Sequence, residues 1–519
     1  MRRTTRGLAL AAAAGLLVAA PLAGQASYEE LQTFSGVLNH IRLNYVDSTT
    51  YHELVQAAIR GVLRALDPHS SFFSSADWEK LSKLDKGELA GPGLQVETVD
   101  SAVTVVWVVP KSPAAKAGIL PGDRVTRVND TTVAGLSERD VNLRLGGDQG
   151  SKVRLTLERG PRLEPDTFTV DVKRDFFTRH LVSITRMADS ITGYVRLEEF
   201  GETAAPELHD ALKKLKGQGA RQVILDLRGN PGGLVYQAVD VAAEFFPKNT
   251  VVFQSRGRKR ELDTTFTTKK DGDFTKFPLV VLIDGLTASA AEALSGSLQD
   301  HDRALIVGRR SFGKALMQVD FVVLPGDDIL HLTVGYILSP SGRYIQRRYH
   351  GIGVEQYRSF AGKSGTEEDT NTVYHTDDGR PVRGGGGIAP DLEVGRNTDF
   401  PVWWSAAVDS GLNTAVVDSV ALTLPATPAG RAAWISGRDQ WEPKLLPPFL
   451  ARVRSRFKIP AQTDSALAFQ LAATLARETA GVRWGDDAAD EFLLKNSADV
   501  RTALGAFPRL AQLLSGPGK

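Results

Sequence analysis

The chain has 519 residues, a length that suits roughly three or four domains of about 100–200 residues each. Its hydrophobic fraction of 42% and charged fraction of 24% are ordinary for globular protein, and a net charge of +1 gives no broad field to attract nucleic acid or acidic lipid. The absence of cysteine excludes disulfides, a thiol nucleophile, a lipid-modified cysteine and a zinc site with Cys ligands.

Residues 1–26 have the pattern of a secretory signal peptide. A basic start, Met1–Arg6, precedes the apolar stretch Leu8–Ala20, and small residues lead to a cleavage site after Ala26. The apolar stretch is short and alanine-rich for a membrane span, which favours a cleaved signal peptide. An uncleaved membrane anchor is the alternative. Both interpretations place the body of the protein outside the cytoplasm, in the periplasm or another extracytoplasmic compartment, with or without membrane association.

Residues 27–83 predict an N-terminal helical segment. Apolar residues recur at intervals of three and four between Leu31 and Ile41, and a second helix is predicted over Leu54–Leu66. Asp67-Pro68 ends that helix. His69 fits a helix-terminating turn better than a catalytic role.

Residues 84–173 predict a small β domain with strands at Val103–Val109, Asp123–Val128 and Lys152–Glu158. Its glycine-rich loop and the stretch Ser112–Asp123 resemble a PDZ domain. The resemblance implies that an extended peptide pairs with a strand edge while loop amides hold its terminal carboxylate. The alternative is a PDZ fold that only packs as structure. The peptide-binding residues implied by the resemblance are Gly91, Pro92, Gly93 and Leu94.

Residues 174–394 predict an α/β core. Arg221–Arg228 is a buried strand that runs into the glycine-rich stretch Gly229–Leu234, and the apolar run Leu279–Asp284 is a second buried strand. An amphipathic helix follows Ser289, so this serine lies where a strand end turns into a helix, next to amides without intrahelical partners. Lys314 lies 25 residues further on, from 314 − 289.

A polar insertion is predicted within this core, over residues of about 350–386. It ends in the glycine hinge Gly384–Gly387, and a surface excursion is favoured over a lid. Ile388–Asp391 then closes the core. Residues 395–519 predict a helical C-terminal tail of unknown role, with helices over Ala466–Glu478 and Asp490–Leu514. This tail either braces the core or mediates homo-oligomerisation.

Several segments of the core, in this order and spacing, resemble the C-terminal processing peptidases, the tail-specific proteases of serine peptidase family S41. They are Thr287–Glu292, Leu298–Asp300, Ala304–Gly308 and Phe312–Lys314 with Gln318, together with Gly229–Leu234. The resemblance implies a crotonase-like ββα fold for the core and no metal or other cofactor. The chain departs from the family at Ala291, where a second serine is common, and at Ser339, where threonine is usual. It also departs at Leu145-Gly146-Gly147, where an arginine commonly precedes the first glycine.

The resemblance also implies roles for the residues of the site. Ser289 is the nucleophile, Lys314 is the base, and Gln318 orients the lysine. Glu292 and Asp300 support the geometry rather than transfer protons. The oxyanion hole implied by the resemblance is formed by Gly233, with Gly232 next in line, and Ala290.

For Ser289 and Lys314 to act as nucleophile and base, each must be in a suitable protonation state. A serine hydroxyl needs a base to take its proton, and no histidine lies in either motif that flanks Ser289. A lysine serves as that base only when neutral, which requires its pKa to fall by roughly three units from about 10.4, at a cost of about 4–5 kcal/mol. Burial lowers a lysine pKa by such amounts, and the apolar neighbours Phe312, Leu316 and Met317 favour a dry pocket.

The prediction is therefore an α/β multidomain protein with an N-terminal helical segment, a PDZ-like β domain, an α/β serine peptidase core and a helical tail. We expect an exported endopeptidase that acts on protein substrates with free, extended C-termini. A catalytically idle scaffold that presents protein tails to another protease is the alternative, and an enzyme acting on lactams or esters is disfavoured by the tail-binding module.

Overall fold

The computed structural model describes most of the chain. The described residues are 28–85, 90–99, 102–109, 112–120, 122–134, 136, 138–159, 165–176, 180–352, 357, 372–394, 401–460 and 463–514. The predicted signal peptide and the polar stretch from Glu367 to residue 371 lie outside them. The described chain forms two compact units, one of residues up to Phe73 with Asp320–Leu332, and one of Ser74–Val319 with Thr333 onwards.

The first unit consists of two helices and a small piece of sheet. Helix α1 spans residues 28–44 and α2 spans Tyr51–Leu66, where Thr50 and Glu53 form a capping box. The prediction of helix through about residue 80 is wrong for Ser71–Phe73, which forms strand β1 and pairs antiparallel with residues 329–331. The aromatic side chains of Phe72 and Phe73 favour the extended backbone over a further helix at this point. Helix α3, Ser75–Asp85, belongs to the second unit.

The second unit begins with a β domain that matches the predicted PDZ-like module. Its sheet has the strand order β2-β3-β4-β6-β7, with β5 paired to β4, so that β2 is an edge strand. Inward-facing valines and leucines of this sheet, among them Val105, Val153 and Leu155, form its core. The elements are β2 (Leu94–Val99), β3 (Ala102–Val108), α4 (Pro113–Lys116), β4 (Arg124–Val128), β5 (Thr131–Thr132), α5 (Glu138–Leu145), β6 (Lys152–Arg159) and β7 (Asp166–Lys173).

The α/β core is built on a six-stranded sheet of order β19-β14-β13-β10-β9-β8. Strands β9, β10, β13, β14 and β19 run parallel, and only β8 at one edge is antiparallel. The elements of this layer are β8 (Val182–Met187), β9 (Thr192–Leu197), α6 (Ala204–Gly217), β10 (Gln222–Asp226), α7 (Val235–Ala242), β13 (Leu279–Ile283), α8 (Ala290–Asp300), β14 (Ala304–Gly308) and β19 (Leu392–Glu393).

The chain forms further strands outside this sheet. They are β11 (Val251–Gly257), β12 (Thr264–Thr267), β15 (Leu316–Val323) and β16 (Asp328–Leu338), followed by a hairpin of β17 (Val373–His375) and β18 (Pro381–Arg383). Within the second unit, β11 pairs with residues 335–338 of β16. The β17–β18 hairpin lies inside the predicted insertion, so the described part of that insertion contains a regular element.

The apolar strands of the core sheet are covered on both faces, as their continuous hydrophobic runs predict. One set of alternating side chains, including Val281 and Ile306, packs with α6, α7 and α8. The other set, including Val280 and Leu305, packs against the last helix of the chain. That helix, α15, spans Ala498–Leu514.

The predicted tail is helical, but it is divided between two cores. Six helices surround one core that contains Trp434, Trp441 and Phe449. They are α9 (Val402–Asp409), α10 (Leu412–Thr423), α11 (Pro428–Ser436), α12 (Arg438–Arg456), α13 (Ser465–Trp484) and α14 (Asp486–Asn496). The single helix predicted over Asp490–Leu514 is wrong, because Ser497 interrupts it in an extended conformation. Within the described residues, no helix combines the length and the apolar character needed to cross a membrane.

Candidate active site

Ser289 lies in a sharp turn between β13 and α8. Its φ of 55° and ψ of −117° are unfavourable for a residue with a side chain, so the surroundings must hold it there. Asp284 Oδ1 accepts hydrogen bonds from the backbone N–H of Leu286 at 3.0 Å and of Thr287 at 3.2 Å. The Thr287 hydroxyl donates to the carbonyl of Leu227 at 2.8 Å, which ties the turn to the end of β10. The structure thus has the strand–turn–helix geometry of a nucleophile elbow.

The glycine-rich stretch after β10 lies directly against this turn. At Gly232, φ is +101°, and a Cβ would lie 2.7 Å from Ser289 Cβ and 2.9 Å from Ala290 N. At Gly233, φ is +132°, and a Cβ would lie 2.5 Å from the carbonyl oxygen of Phe200. Both positions therefore require glycine for conformation and for space. The Ala288 N–H donates to the Asn230 carbonyl at 2.9 Å and joins the two segments.

The amides of the three predicted oxyanion-hole residues differ in their partners. The Gly232 N–H donates to Asn230 Oδ1 at 2.9 Å, so it is already engaged. Ala290 is the first residue of α8, where an N–H has no intrahelical acceptor. Among the described residues, no hydrogen bond donated by the Gly233 or Ala290 N–H is found. In this respect the Gly233 and Ala290 amides differ from the Gly232 amide.

Glu292 joins the serine turn to the lysine segment through a single carboxylate. Its Oε2 accepts from the Ser289 N–H at 2.9 Å and from the Lys314 N–H at 2.8 Å. Its Oε1 accepts from the Gly313 N–H at 2.6 Å and from the Ser311 hydroxyl at 2.5 Å. The Ser311 oxygen in turn accepts from the Ile388 N–H at 2.6 Å, so its own proton points to Glu292. Sequence reasoning missed Ser311, which no motif singles out.

The carboxylate of Glu292 is 1% exposed. Burial raises its pKa above the ordinary value, and the donors at Ser311, Lys314, Gly313 and Ser289 offset part of that effect. All four partners are donors, so these hydrogen bonds favour the ionised form and oppose the effect of burial. Glu292 therefore acts here as a rigid acceptor that fixes backbone positions.

Lys314 precedes β15 and is half-buried, and Gln318 lies four residues further along the same strand. The Gln318 side chain donates to Thr333 Oγ1 of β16 at 3.1 Å. Leu316 is buried and Phe312 and Met317 are half-buried, and a dry pocket around the lysine amine stays a prediction. Sequence reasoning did not anticipate the Arg347 guanidinium, which lies 4.2 Å from the centre of the Phe312 ring.

Asp300, at the end of α8, lies in a separate network. It accepts from the Ser339 hydroxyl at 2.5 Å and from the Ser341 N–H at 3.0 Å, and it pairs with Arg343 at 2.7 Å. Arg343 is fully buried. Through these contacts, Asp300 holds the turn that follows β16.

The predicted carboxylate-binding loop is well ordered by its own backbone. Gly91 exchanges two hydrogen bonds with Asp175, and the Pro92 carbonyl accepts from the Ala114 N–H at 2.7 Å. The Gly93 carbonyl accepts from the Val109 N–H at 2.9 Å and from the Ser112 hydroxyl at 3.0 Å. Leu94 then opens the edge strand β2. Gly91, Pro92 and Gly93 are themselves buried.

The arginine that commonly precedes the first glycine in the family is absent before Gly146-Gly147. A different arginine lies beside these glycines in the structure. The Arg174 guanidinium donates to the carbonyl of Leu145 at 2.7 Å and to that of Arg144 at 3.0 Å. A Cβ on Gly147 would lie 2.9 Å from Arg174 Nε.

Within the described residues, no cluster of three or more His, Asp or Glu side chains is suited to hold a metal ion.

Comparisons with known proteins identify both modules. The family model "Peptidase family S41" matches residues 191–358, and the model "PDZ domain" matches residues 92–173. A carboxy-terminal-processing protease of Bartonella bacilliformis is 34% identical over 335 residues, covering 64% of this chain and 75% of that protein. The carboxy-terminal processing protease CtpA of Bacillus subtilis is 32% identical, covering 59% of this chain and 65% of that protein.

The solved structures include a photosystem II D1 C-terminal processing protease, 25% identical with a TM-score of 0.42 over 70% of this chain and 87% of that one. The fold and the matched modules define a PDZ-containing α/β protease. The chain belongs to peptidase family S41 and is similar to its C-terminal processing proteases.

Proposed function

We propose that this protein is an exported serine endopeptidase that captures the C-terminal tail of a protein substrate and cleaves peptide bonds with Ser289 and Lys314. The observation that carries the proposal is the shared acceptor: one oxygen of Glu292 binds the backbone N–H of both residues, at 2.9 and 2.8 Å. A strained serine and a lysine segment held by one buried carboxylate are costly features that suit a site assembled for nucleophilic chemistry.

The reaction follows from the chemistry of these groups. The Ser289 hydroxyl oxygen attacks the carbonyl carbon of the substrate peptide bond, and the neutral Lys314 amine takes the hydroxyl proton. Collapse of the tetrahedral intermediate breaks the C–N bond, and the lysine ammonium gives the proton to the leaving amine. A water molecule then attacks the acyl-enzyme while Lys314 takes one of its protons. The bond between the acyl carbon and the Ser289 oxygen breaks, the lysine ammonium returns the proton to that oxygen, and the second product leaves with a new carboxyl group. Gln318, which lies in β15 four residues after Lys314, is proposed to orient the lysine side chain.

The negative oxygen of each tetrahedral intermediate is proposed to bind the amides of Gly233 and Ala290. Ala290 follows Ser289 directly and Gly233 follows Gly232, which packs against Ser289; donors aimed at a developing oxyanion are worth about 10²–10³ in rate each. Gly232 contributes in a different way, because its missing side chain lets the loop approach Ser289. Glu292 holds the Ser289 and Lys314 backbones and takes no proton itself.

The PDZ domain is proposed to hold the substrate tail. The edge strand β2 begins directly after the Gly91–Gly93 loop, so a bound chain that pairs with this edge has its end at that loop. Residues 1–26 are proposed to direct export, to the periplasm or another extracytoplasmic compartment, either as a cleaved signal or as a retained anchor.

Cleavage of a disordered test protein by the full chain tests the enzyme proposal. We expect Ser289→Ala and Lys314→Ala each to lower the turnover of the test protein by at least about 10³-fold. Lys213→Ala, at an exposed position of α6, serves as the matched control and keeps wild-type turnover. Equal cleavage by the wild type and Ser289→Ala would refute the proposal and leave the tail-binding scaffold as the alternative.

Binding of a peptide to the Ser289→Ala chain tests the tail-capture proposal. We expect a peptide with a free C-terminal carboxylate to bind more tightly than the same peptide with a C-terminal amide. Equal affinities would contradict recognition of the chain end.

A further inference from the structure

The last helix of the chain contacts the segment that leads to the oxyanion hole through one arginine. Arg228 lies between two carboxylates, with Nη2 2.5 Å from Asp226 Oδ2 and Nη1 2.6 Å from Asp499 Oδ2. The side chain of Arg228 is 12% exposed, so these contacts form in a largely water-free position. Asp226 belongs to β10, whereas Asp499 belongs to the first turn of α15. The contact between Arg228 and Asp499 therefore joins residues that are 271 positions apart in the chain.

Arg228 stands at the start of the glycine-rich stretch that reaches Ser289. Its own N–H donates to Asp226 Oδ1 at 2.9 Å, and the next N–H, of Gly229, donates to Asp284 Oδ1 at 3.0 Å. From there the backbone runs through Asn230 to Gly232, where it touches the serine turn. A displacement of Arg228 is therefore passed toward Gly233 along a stretch in which the N–H groups of Arg228, Gly229 and Gly232 are held by side-chain acceptors.

Helix α15 is held firmly enough to serve as a support. Ser497 accepts from the Val500 N–H at 3.3 Å and so caps the helix, and it also receives a hydrogen bond from Arg228 at 3.3 Å. The face of α15 that meets the sheet is apolar and fully covered, with small residues that allow close approach. Its buried residues are Val500, Ala503, Ala506, Phe507 and Leu510.

We propose that Asp499 is a positioning residue for catalysis, which acts through Arg228 to fix the loop that presents the Gly233 amide to the oxyanion. Asp226 orients the Nε and Nη2 edge of the guanidinium, and Asp499 fixes the remaining Nη1 end. The inference rests on the proposed function of Ser289 and Gly233. It also gives the C-terminal tail a role in the peptidase site, although Asp499 lies far outside the matched S41 region of residues 191–358.

The test compares Asp499→Asn with a matched variant, Asp487→Asn, in the full chain. Asp487 also lies in the tail and also binds an arginine of the core sheet, Arg186 of β8, but that arginine is not in the glycine-rich loop. Two quantities are measured: steady-state cleavage of the disordered test protein, and hydrogen–deuterium exchange of the amides of residues 227–234, with those of α6 as the internal reference.

For Asp499→Asn we expect kcat to fall about tenfold with KM within about twofold of wild type, since a misplaced oxyanion donor weakens transition-state binding. Exchange of residues 227–234 is expected to become faster while α6 is unchanged. Asp499→Glu, which keeps the charge, should recover part of the kcat. Asp487→Asn should change neither quantity.

Three results would overturn the inference. They are an unchanged kcat in Asp499→Asn, unchanged exchange of residues 227–234, or equal effects in Asp487→Asn, which would indicate general loosening of the tail. If the wild type shows no Ser289-dependent cleavage, the proposed function fails. The exchange measurement then still decides whether Asp499 positions the loop. Unfolding temperatures of all three variants identify any that fail to fold, and Asp499→Glu is the variant expected to fold in every case.

Discussion

The Cα of Gly232 faces Ser289 so closely that a Cβ on the glycine would lie 2.7 Å from the Cβ of the serine. Gly232→Ala must therefore displace the serine turn or the glycine loop. We expect the variant to lose at least about 100-fold in kcat, comparable to the loss of an oxyanion donor. Its free energy of unfolding should also fall, by about 1–2 kcal/mol from the positive φ alone. Turnover and urea unfolding measure the two effects.

Gly219→Ala separates the conformational cost from the steric one. Gly219 also has a positive φ, +98°, but no atom lies within 4 Å of an added Cβ. This variant should lose about 1–2 kcal/mol of stability and keep its kcat. A similar loss of activity in both variants would show that crowding at Ser289 is not the cause.

Replacement of Glu292 by Gln tests the shared acceptor. An amide presents an NH2 group to one pair of the four donors, so at least one hydrogen bond to a buried group is lost. We expect a loss of about 3 kcal/mol in unfolding free energy, together with a fall in kcat, since both the Ser289 and Lys314 backbones are released. Glu244→Gln is the control, because Glu244 is equally buried but pairs with His209 and Lys270. A normal kcat in Glu292→Gln would contradict the positioning role.

Asp226 predicts a specific loss of stability in acid. Burial alone would raise its pKa, but the Arg228 guanidinium outweighs this and holds the pKa at about 2, below the usual 3.8. The unfolded chain therefore binds more protons than the native one between about pH 4 and 2, so the stabilisation is complete above about pH 4 and is lost as the pH falls to 2. The difference amounts to about 2 kcal/mol.

Urea unfolding at several pH values between 5 and 2 measures this slope. Asp226→Asn should lack that part of the pH dependence, whereas Asp210→Asn, at an exposed position of α6, should keep the wild-type dependence. Parallel curves for the wild type and Asp226→Asn would refute the assignment.

The packing of α15 on the core sheet predicts a large effect of Leu510→Ala. Leu510 is fully buried among sheet residues that include Val280 and Leu305, so its truncation should cost about 2–5 kcal/mol. Leu422 is 80% exposed, and Leu422→Ala should cost less than about 0.5 kcal/mol. Calorimetry of both variants checks the pair of values. Equal, small effects would mean that α15 does not stabilise the sheet.

The local pattern of apolar residues predicts the core elements. It does not predict contacts between distant parts of the chain. The apolar run before Ser289 and the spacing after it predicted β13, the turn and α8, because burial and helix periodicity leave a direct mark in sequence. The sequence places Gly232 next in line after Gly233 for the oxyanion hole, and it does not reveal that the Gly232 N–H donates to the Asn230 side chain, because that bond depends on the geometry of the turn.

Long-range pairs leave no such mark. The sequence does not reveal Ser311 as a partner of Glu292 or Asp499 as a partner of Arg228, since each interaction depends on tertiary packing rather than on spacing. The break at Ser497 was missed for a related reason, because the residues on both sides of it favour a helix.

The double-sided burial of the sheet has a practical consequence for dissecting this protein. A polypeptide cut at residue 394, the predicted end of the peptidase core, would lose α15 and expose an apolar surface that includes Tyr194, Ile224, Val280 and Leu282. Such a surface invites aggregation. The boundary of a homologous region and the boundary of an autonomously folding piece do not coincide here, and preparations of the protease should extend through Leu514.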